Sequence, residues 1–346
     1  MKKYMAFMFI MCLMLSACTK SKKEDAAKKK QADEALLQNA LTYFKALPEV
    51  AENPANPITD AKVKLGQLLY HEKALSLDNT ISCNSCHDLA KFGVDNLPTS
   101  PGVGGTLGTR NSPTVFNAAL DFVQFWDGRE PDVEAQAGGP IVNPVEMAMP
   151  DQKAVVERLK KNEKYVALFT EAFPGEKDPV TYENLKKAIG AFERLLLTPS
   201  RFDAYLNGDL ATLTDKEKKG MQSFIESGCI TCHVGANLGG TMFHKFGLFK
   251  GYWEETNTKI IDQGKFDVTK NETDRFFFKV SGLRNIEKTA PYFHDGSVND
   301  LGEAIKVMSV LQLNKELDEQ KTADILAFLK ALNGTPPAKL IKVPEL

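Results

Sequence analysis

Two pentapeptides, Cys83-Asn-Ser-Cys-His87 and Cys229-Ile-Thr-Cys-His233, decide the fold of this chain. Each has the Cys-x-x-Cys-His form that attaches a c-type haem. Two thiols three residues apart lie on one helical turn and reach the two vinyl groups of one haem, and the adjacent imidazole turns onto the iron. The same thiols also fit a zinc site that uses all four, or a redox pair that uses one motif. Two complete copies, each with its His in place, favour haem c at both.

The start of the chain predicts export. Met1-Lys-Lys3 is a short basic segment, residues 4–15 are apolar, and Leu15-Ser-Ala-Cys18 follows at once. This tetrapeptide resembles a bacterial lipobox, and twelve apolar residues are too few to span a bilayer. We therefore expect a lipoprotein signal peptide over residues 1–17, rather than a transmembrane anchor, with a lipid on Cys18. The protein would be periplasmic and would contact the membrane through that lipid only.

Composition excludes several classes of protein. The 346 residues include 43 Lys+Arg and 45 Asp+Glu, a net charge of −2, and 43% are hydrophobic. A balanced charge excludes a generally basic nucleic-acid binder, so no nucleic-acid partner is expected. The length suffices for about two domains with real cores.

Hydrophobic periodicity predicts an all-α fold. Because each of the two Cys-x-x-Cys-His motifs lies among short helices, we expect two cytochrome-c-like domains, each holding one covalently attached haem c. Helices are expected from Thr59 onward and over residues 152–173 and 183–197. A capping box from Thr214 to Glu217 opens another, which runs into the second motif. We assign residues 18–34 to a charged flexible tether, 35–197 to an N-terminal haem domain, 198–335 to a C-terminal haem domain, and 336–346 to a C-terminal extension.

Residues 36–340 resemble the bacterial dihaem cytochrome c peroxidases. The segments that carry the resemblance keep the family's order and spacing: Ile81-Ser-Cys-Asn-Ser-Cys-His87, Arg110-Asn-Ser-Pro-Thr-Val-Phe-Asn117, Gln124-Phe-Trp-Asp-Gly-Arg129, Gln136-Ala-Gly-Gly-Pro140, Asn143-Pro-Val-Glu-Met147 and Ala290-Pro-Tyr-Phe-His-Asp-Gly296. The resemblance implies reduction of hydrogen peroxide to water, with electrons from a small cytochrome c or cupredoxin. It also implies that residues 35–197 form the peroxidatic haem domain and residues 198–335 the electron-transfer haem domain.

The resemblance also implies roles for individual residues. The haem-binding set is Cys83, Cys86, His87, Cys229, Cys232, His233 and Met308, in which His87 and His233 are proximal iron ligands and Met308 is the sixth ligand of the second haem. Glu146 and Gln136 would form the distal pocket of the first haem, and Glu146 would move the proton between the peroxide oxygens. Trp126 would lie between the haems and assist electron transfer.

One position departs from the family pattern. Many members carry a histidine sixteen residues after the first proximal ligand, and it caps the oxidised first haem until the second is reduced. This chain has Val103 there. Valine cannot bind iron, so we expect a first haem that is open without reductive activation, unless His71, Met147 or Met149 replaces the missing ligand.

Further expectations rest on the resemblance alone. They are a calcium ion held by Asn111 and the carbonyls of Thr289 and Pro291, and a homodimer. The sequence assigns no role to His244, His294 or Arg284. Two alternative functions stay open: a dihaem electron-transfer cytochrome, and an enzyme that oxidises residues of a partner protein, although such enzymes place a Tyr where this chain has Met308.

Overall fold

The computed structural model describes residues 24–345, so the expected signal peptide and Cys18 lie outside the described residues. The described part is mostly helical, as the periodicity predicted, with a single two-stranded antiparallel sheet. The helices are α1 (24–41), α2 (Asp60–His71), α3 (Cys83–Cys86), α4 (Val133–Val142), α5 (Gln152–Lys160), α6 (Glu163–Ala172), α7 (Tyr182–Glu193), α8 (Arg201–Leu206), α9 (Asp215–Ser227), α10 (Phe266–Thr269), α11 (Leu301–Leu313) and α12 (Glu319–Ala331); the strands are β1 (Phe243–Lys245) and β2 (Phe277–Lys279).

Several predicted helix boundaries are confirmed. The Thr59 side chain caps α2 by accepting a hydrogen bond from the Lys62 amide, and Thr214 and Glu217 form the predicted capping box of α9. The helix expected over residues 152–173 is instead two helices, α5 and α6. Asn162 caps the second of them with its side chain, and a side chain that accepts from the backbone favours a new helix start over a continuous helix.

Each haem-attachment motif belongs to its own hydrophobic core. The first core unites α2, α4, α5, α6 and α7, and we call residues 48–197 the first domain. The second core unites α8, α9, α11 and α12, and we call residues 198–335 together with α1 the second domain. No helix within residues 24–345 is long and apolar enough to cross a bilayer.

The two domains repeat one helix crossing. A Cβ on Gly66 of α2 would lie 2.0 Å from the Ala188 carbonyl oxygen of α7, and one on Gly220 of α9 would lie 1.9 Å from the Asp324 oxygen of α12. One turn further on, Tyr70 packs edge-on against Phe192, and Phe224 packs edge-on against Phe328. Glycine at the crossing lets two backbones touch, and an aromatic pair fills the space beside it.

The two ends of the chain contradict the expected domain boundaries. Residues 24–34, expected in a flexible tether, are helical, and Leu37, Ala40 and Phe44 are buried in the second core rather than the first. The prediction of a flexible segment from its charged composition was wrong for residues 24–34, because tertiary contacts stabilise them as a helix. The Asp33 carboxylate lies 2.7 Å from the Lys218 ammonium, whose side chain is only 7% exposed.

The C-terminal extension, which follows the second domain in sequence, packs on the first domain. Leu340 and Ile341 pack against the first core, although the residues before them belong to the second domain. The Gln67 side chain of α2 donates to the carbonyls of residues 339, 340 and 342. Each domain is therefore covered by a terminal segment that the sequence assigned elsewhere.

Polar contacts join the two domains beside the segments quoted for the family resemblance. The backbone N–H of Asn111 donates to the His294 carbonyl at 2.7 Å. Arg110 pairs with Asp262, and Asp121 pairs with Lys279, whose side chain is 8% exposed. These contacts place the first domain's Trp126 against the second domain.

Candidate active site

The first motif is a single helical turn that presents its histidine to one side. Ser82 and Ser85 close a capping box around α3, and the His87 amide donates to the Cys83 carbonyl at 3.0 Å. His87 Nδ1 lies 2.9 Å from the Pro113 carbonyl oxygen, and the Tyr70 hydroxyl donates to the His87 carbonyl at 2.7 Å. The imidazole is therefore fixed on one side of the motif.

The second motif reaches the same arrangement by a different local structure. Gly228 ends α9 with φ of 99°, a left-handed conformation that suits glycine. A 3-10 turn over Cys229–Thr231 follows, and the His233 amide donates to the Cys229 carbonyl at 3.0 Å. His233 Nδ1 lies 3.0 Å from the Leu238 carbonyl oxygen.

Both histidines fit the role of an iron ligand. A carbonyl oxygen can only accept, so Nδ1 must carry the proton and Nε2 keeps the lone pair that binds a metal. Burial lowers the pKa of His87 and of His233, which favours the neutral imidazole.

The thiols fit haem better than the alternatives. All four described cysteines are free, so neither motif forms the disulfide of an oxidised redox pair. Within residues 24–345, no three His, Cys, Asp or Glu side chains are grouped to hold a metal ion, which disfavours a zinc site that shares four thiols. Burial raises the pKa of Cys86 and of Cys229 to about 11 each, so the thiols are kept protonated.

A cavity of about 510 Å³ lies beside the second motif. Its lining includes Cys229, Cys232 and His233 of the motif and Met308 of α11. The structure thus brings together the second motif and the methionine that the resemblance singled out. The donor set, one imidazole and one thioether facing a single cavity, fits a haem that only carries electrons.

The two residues predicted to form the distal pocket of the first motif lie on α4 and in the loop after it. Gln136 lies on α4, and Glu146 is half-buried four residues beyond the helix end. Burial raises the pKa of Glu146 above its ordinary value, although the charge of Arg129 and a hydrogen bond from Asn143 oppose that effect. Glu146 in turn raises the pKa of Cys86, which places the carboxylate near the first motif.

Val103 packs directly on the Glu146 segment. Its amide donates to the Glu146 carbonyl at 2.8 Å, and a Cβ on Gly102 would lie 2.2 Å from the Val145 carbonyl oxygen. The close approach requires glycine at position 102. The loop at Val103, where the resemblance led us to expect a histidine, is therefore held against the Glu146 segment by backbone contacts, and the Val103 side chain is half-buried.

Trp126 lies at the domain boundary and also lines the cavity beside the second motif. Its indole N–H donates to the Asn111 carbonyl at 2.9 Å. The backbone N–H of Asn111 in turn donates to the His294 carbonyl of the second domain. The Trp126 and His294 rings also meet edge-on, with their centroids 6.3 Å apart. The backbone of one residue, Asn111, thus connects the indole to the second domain.

The three residues expected at a calcium ion, Asn111, Thr289 and Pro291, line this cavity together. Asn111 is 8% exposed and donates its side-chain amide to the Leu97 carbonyl, so its side-chain oxygen remains as an acceptor. Amide and carbonyl oxygens are the ligands that Ca²⁺ prefers. The chemistry of these donors fits calcium.

The three residues to which the sequence assigned no role have different surroundings in the structure. Arg284 is structural: its side chain is fully buried and forms two hydrogen bonds with Asp203. His294 is buried, stacks on Phe278, and has no hydrogen-bond partner at Nε2. His244 lies on β1 and is half-buried.

The proposed substitutes for a distal ligand differ in their surroundings. Met147 and Met149 are buried in the first core, where they pack among apolar side chains. His71 ends α2 and has no hydrogen-bond partner at its buried Nε2.

Sequence reasoning missed the groups that orient the site. The Pro113 and Leu238 carbonyls fix the proximal histidines, and no side-chain pattern marks a carbonyl. Arg129 was also missed as an influence on Glu146, although it stands in one of the segments quoted for the resemblance.

Comparisons with known proteins agree with this architecture. Residues 60–211 match the family model of the di-haem cytochrome c peroxidases. The chain is 44% identical over 312 residues to the cytochrome c551 peroxidase of Pseudomonas aeruginosa, covering 89% of this chain and 88% of the relative. It is 45% identical over 294 residues to cytochrome c peroxidase Ccp of Escherichia coli, covering 83% of this chain and 62% of that protein.

Among solved structures, a MauG-like protein associated with microbial copper homeostasis aligns with a TM-score of 0.75 and 29% identity, over 87% of this chain and 96% of that one. The chain therefore belongs to the di-haem cytochrome c peroxidase family. It is an oxidoreductase of the cytochrome c peroxidase class.

Proposed function

We propose that this protein reduces hydrogen peroxide to water at its first motif with electrons that enter at its second. One observation carries the proposal: the two motifs have matched proximal sides and different distal sides. The second motif shares its cavity with the Met308 thioether, whereas the first lies near the Glu146 carboxylate and has Val103 in the ligand's place. A thioether suits an iron that stays six-coordinate, and an acid–base group suits an iron that binds substrate.

Haem c, when bound at each motif, supplies the iron that exchanges electrons. The reaction consumes one peroxide, two electrons and two protons and yields two waters. Glu146 accepts a proton from one peroxide oxygen and returns it to the departing oxygen, general acid–base work that contributes about 10²- to 10⁴-fold. Gln136 orients the peroxide from α4 by hydrogen bonding.

Electrons cross between the domains beside Trp126. The hydrogen bond from its indole to the Asn111 carbonyl, and that of the Asn111 amide to the His294 carbonyl, fix the ring between the two domains. A fixed ring keeps the transfer distance constant.

The first motif is open in the resting enzyme. Val103 cannot bind iron, and its amide is engaged with the Glu146 carbonyl. We infer that the distal pocket accepts peroxide without prior reduction of the second haem.

The proposals on the setting of the enzyme rest on its N-terminal sequence and on the family resemblance. We propose a periplasmic lipoprotein anchored through Cys18, with a small cytochrome c or cupredoxin as electron donor, calcium at Asn111, Thr289 and Pro291, and a homodimeric assembly. Because α1 packs on the second domain, the anchor would join the chain at the electron-entry side.

The test is the absorption and electron paramagnetic resonance spectra of the fully oxidised, haem-loaded protein, followed by rapid mixing with peroxide. We expect one high-spin ferric haem beside one low-spin haem, and an immediate spectral change before any reductant is added. A Val103→His variant is the matched control. We expect its first haem to be low-spin and to react only after half-reduction.

Two other outcomes would reject parts of the proposal. Two low-spin haems that stay inert after half-reduction would favour an electron-transfer cytochrome. Inertness only before half-reduction would mean that another residue, such as His71, binds the first iron.

A further inference from the structure

The loop over residues 234–240 carries the group that orients the second proximal histidine. It follows His233 directly, and its Leu238 carbonyl oxygen lies 3.0 Å from His233 Nδ1. The backbone N–H of Gly239 donates to the Val234 carbonyl at 3.0 Å and closes the loop into a tight turn. A shift of this turn therefore moves the carbonyl that holds the imidazole.

Leu238 adopts a backbone conformation that its surroundings must maintain. Its φ is 49°, in the left-handed region that residues other than glycine rarely enter. The Leu238 side chain is fully buried in the second core, which fixes that side chain. A residue in a sparsely populated conformation persists because neighbouring contacts hold it there. The position of the carbonyl that accepts from His233 thus depends on the contacts made on both sides of Leu238.

The start of the loop is held by the segment after α1 and by the second domain. The backbone N–H of Gly235 donates to the Tyr43 carbonyl at 2.8 Å. The Arg284 guanidinium donates to the Ala236 carbonyl. Since Arg284 is itself fully buried, these contacts fix residues 235 and 236.

The rest of the loop is held by the first domain through Asp121. Asn237 is buried, and its side-chain amide donates to Asp121 Oδ1 at 2.7 Å. A Cβ on Gly240 would lie 1.9 Å from the same Asp121 oxygen, so the carboxylate packs directly against the loop backbone. The backbone N–H of Phe122 also donates to the Gly240 carbonyl at 2.8 Å. Leu238 therefore lies between two residues that the first domain contacts.

Asp121 is fixed by a second partner, Lys279 of β2. The Asp121 side chain is 7% exposed, and its Oδ2 accepts from the Lys279 ammonium. The backbone N–H of Lys279 donates to the Trp126 carbonyl at 2.8 Å, which holds the lysine at the domain boundary. An ion pair between domains would account for one carboxylate oxygen of Asp121. The other oxygen is left for Asn237.

We propose that Asp121 is a positioning residue that, through Asn237, fixes the Leu238 carbonyl and thereby sets the orientation of His233 and the reduction potential of the haem bound there. A carbonyl that accepts from the second nitrogen of a metal-binding imidazole fixes the ring and raises its basicity. The first domain thus controls the potential at which the second domain accepts an electron. The inference rests on the proposed function, because it assumes that haem c at the second motif is the site of electron entry.

The experiment measures two properties of the holoenzyme: the midpoint potential of each haem, by spectroelectrochemistry, and the g-values of the second haem, by electron paramagnetic resonance. Asp121→Ala removes the acceptor of the Asn237 amide, and Asn237→Ala removes the donor. In both variants we expect altered g-values and a ratio of reduced to oxidised second haem, at a fixed potential, that rises by about tenfold. The ratio rises because a less basic imidazole stabilises ferric iron less. The first haem should keep its potential.

Lys279→Gln is the matched control. It removes the ion pair with Asp121 but keeps a side-chain donor, so the bond between Asp121 and Asn237 persists. We expect unchanged g-values and no rise in the reduced fraction, because loss of a nearby positive charge disfavours an added electron.

Asn237→Ala changes no charge and leaves the ion pair of Asp121 with Lys279 in place. It therefore gives the test even if Asp121→Ala prevents folding. The double variant of Asp121→Ala and Asn237→Ala should shift the potential no further than either single variant, because each removes the same contact.

Each other outcome has one meaning. Unchanged g-values and an unchanged potential in Asn237→Ala would overturn the inference and leave Asp121 as an ion-pair partner of Lys279. A shift in Asp121→Ala that Asn237→Ala does not reproduce would overturn it as well, since the charge of Asp121 alone would then act. The same shift in Lys279→Gln would also reject it. If the unsubstituted protein holds no low-spin haem at the second motif, the proposed function fails first, independently of Asp121.

Discussion

The two domains share a scaffold and differ where chemistry occurs. Both cross two helices at a glycine, both pack an aromatic pair one turn later, and both fix a proximal histidine by a backbone carbonyl. They differ in the residues near the motif, which include Met308 in the second domain and Glu146 in the first. Under the proposed function, the shared scaffold would position both haems, and these residues would separate electron transfer from peroxide reduction.

The largest expected effect concerns the distal difference. Glu146→Gln keeps the shape of the side chain but removes the proton acceptor, so we expect kcat/KM for peroxide to fall by about 10²- to 10⁴-fold. The spectrum of the second haem should not change. Met308→Leu is the counterpart: it should alter the spectrum of the second haem and leave that of the first unchanged. A loss below threefold in Glu146→Gln would remove Glu146 from the mechanism.

The second prediction concerns the two glycines at which helices cross, Gly66 between α2 and α7 and Gly220 between α9 and α12. A methyl group on Gly66 or Gly220 would meet a backbone oxygen of the facing helix at about 2 Å, and the helices would have to separate. We expect Gly66→Ala to destabilise the first domain and Gly220→Ala the second, each by about 3 kcal/mol. Denaturant unfolding followed at each haem's own absorption would separate the two. Gly175→Ala, where a Cβ meets nothing within 4 Å, controls for the loss of a glycine, although its φ of 89° adds some strain.

The two ends of the chain offer a further test of the comparison between the domains, because each end packs on the domain that is more distant in sequence. Leu37 is buried in the second core although it precedes the whole first domain, and Leu340 packs on the first core although it follows the second. We expect Leu37→Ala to destabilise the second domain by about 2 kcal/mol, and Leu340→Ala to destabilise the first domain by less, because Leu340 is only partly buried. The same two-haem unfolding measurement applies. Destabilisation of the first domain by Leu37→Ala would contradict the observed packing.

The smallest expected effect is a dependence of stability on acid. Burial opposes ionisation of Asp203, but hydrogen bonds and charge from Arg284 outweigh it and hold the pKa below its ordinary value. The first domain has a matching pair, Glu134 with Arg194, in which the pKa of Glu134 is also lowered.

A carboxyl group whose pKa is lower in the folded state stabilises the fold above its unfolded pKa. That stabilisation is lost as pH falls through the folded value. Thermal unfolding between pH 6 and 3 should therefore show both domains losing stability below about pH 4. In Asp203→Asn the second domain should be less stable at pH 6 and should fall less steeply with acid, while the first domain behaves as before. An unchanged slope in the second domain would mean that other carboxyl groups dominate.

Much of the architecture could be predicted from the sequence because its signals are local. The capping box of Thr214 and Glu217 and the cap at Thr59 involve residues within one helical turn, so the helix starts were predicted correctly. The break between α5 and α6 was missed because apolar spacing continues across it, and only the Asn162 side chain marks the new start.

Residues 24–41 were misassigned for a different reason. A charged segment has no ordering signal of its own, and its helix is stabilised by contacts such as Asp33 with Lys218, which are 185 residues apart. No window of sequence contains both partners.

The sequence by itself determined the two haem-attachment motifs, the helical class and the absence of a histidine at position 103, because each is a property of adjacent residues or of a single side chain. Only the tertiary structure decided which carbonyls fix His87 and His233 and which core each chain end joins. Those relations depend on groups that are distant in the chain and meet only when the helices pack.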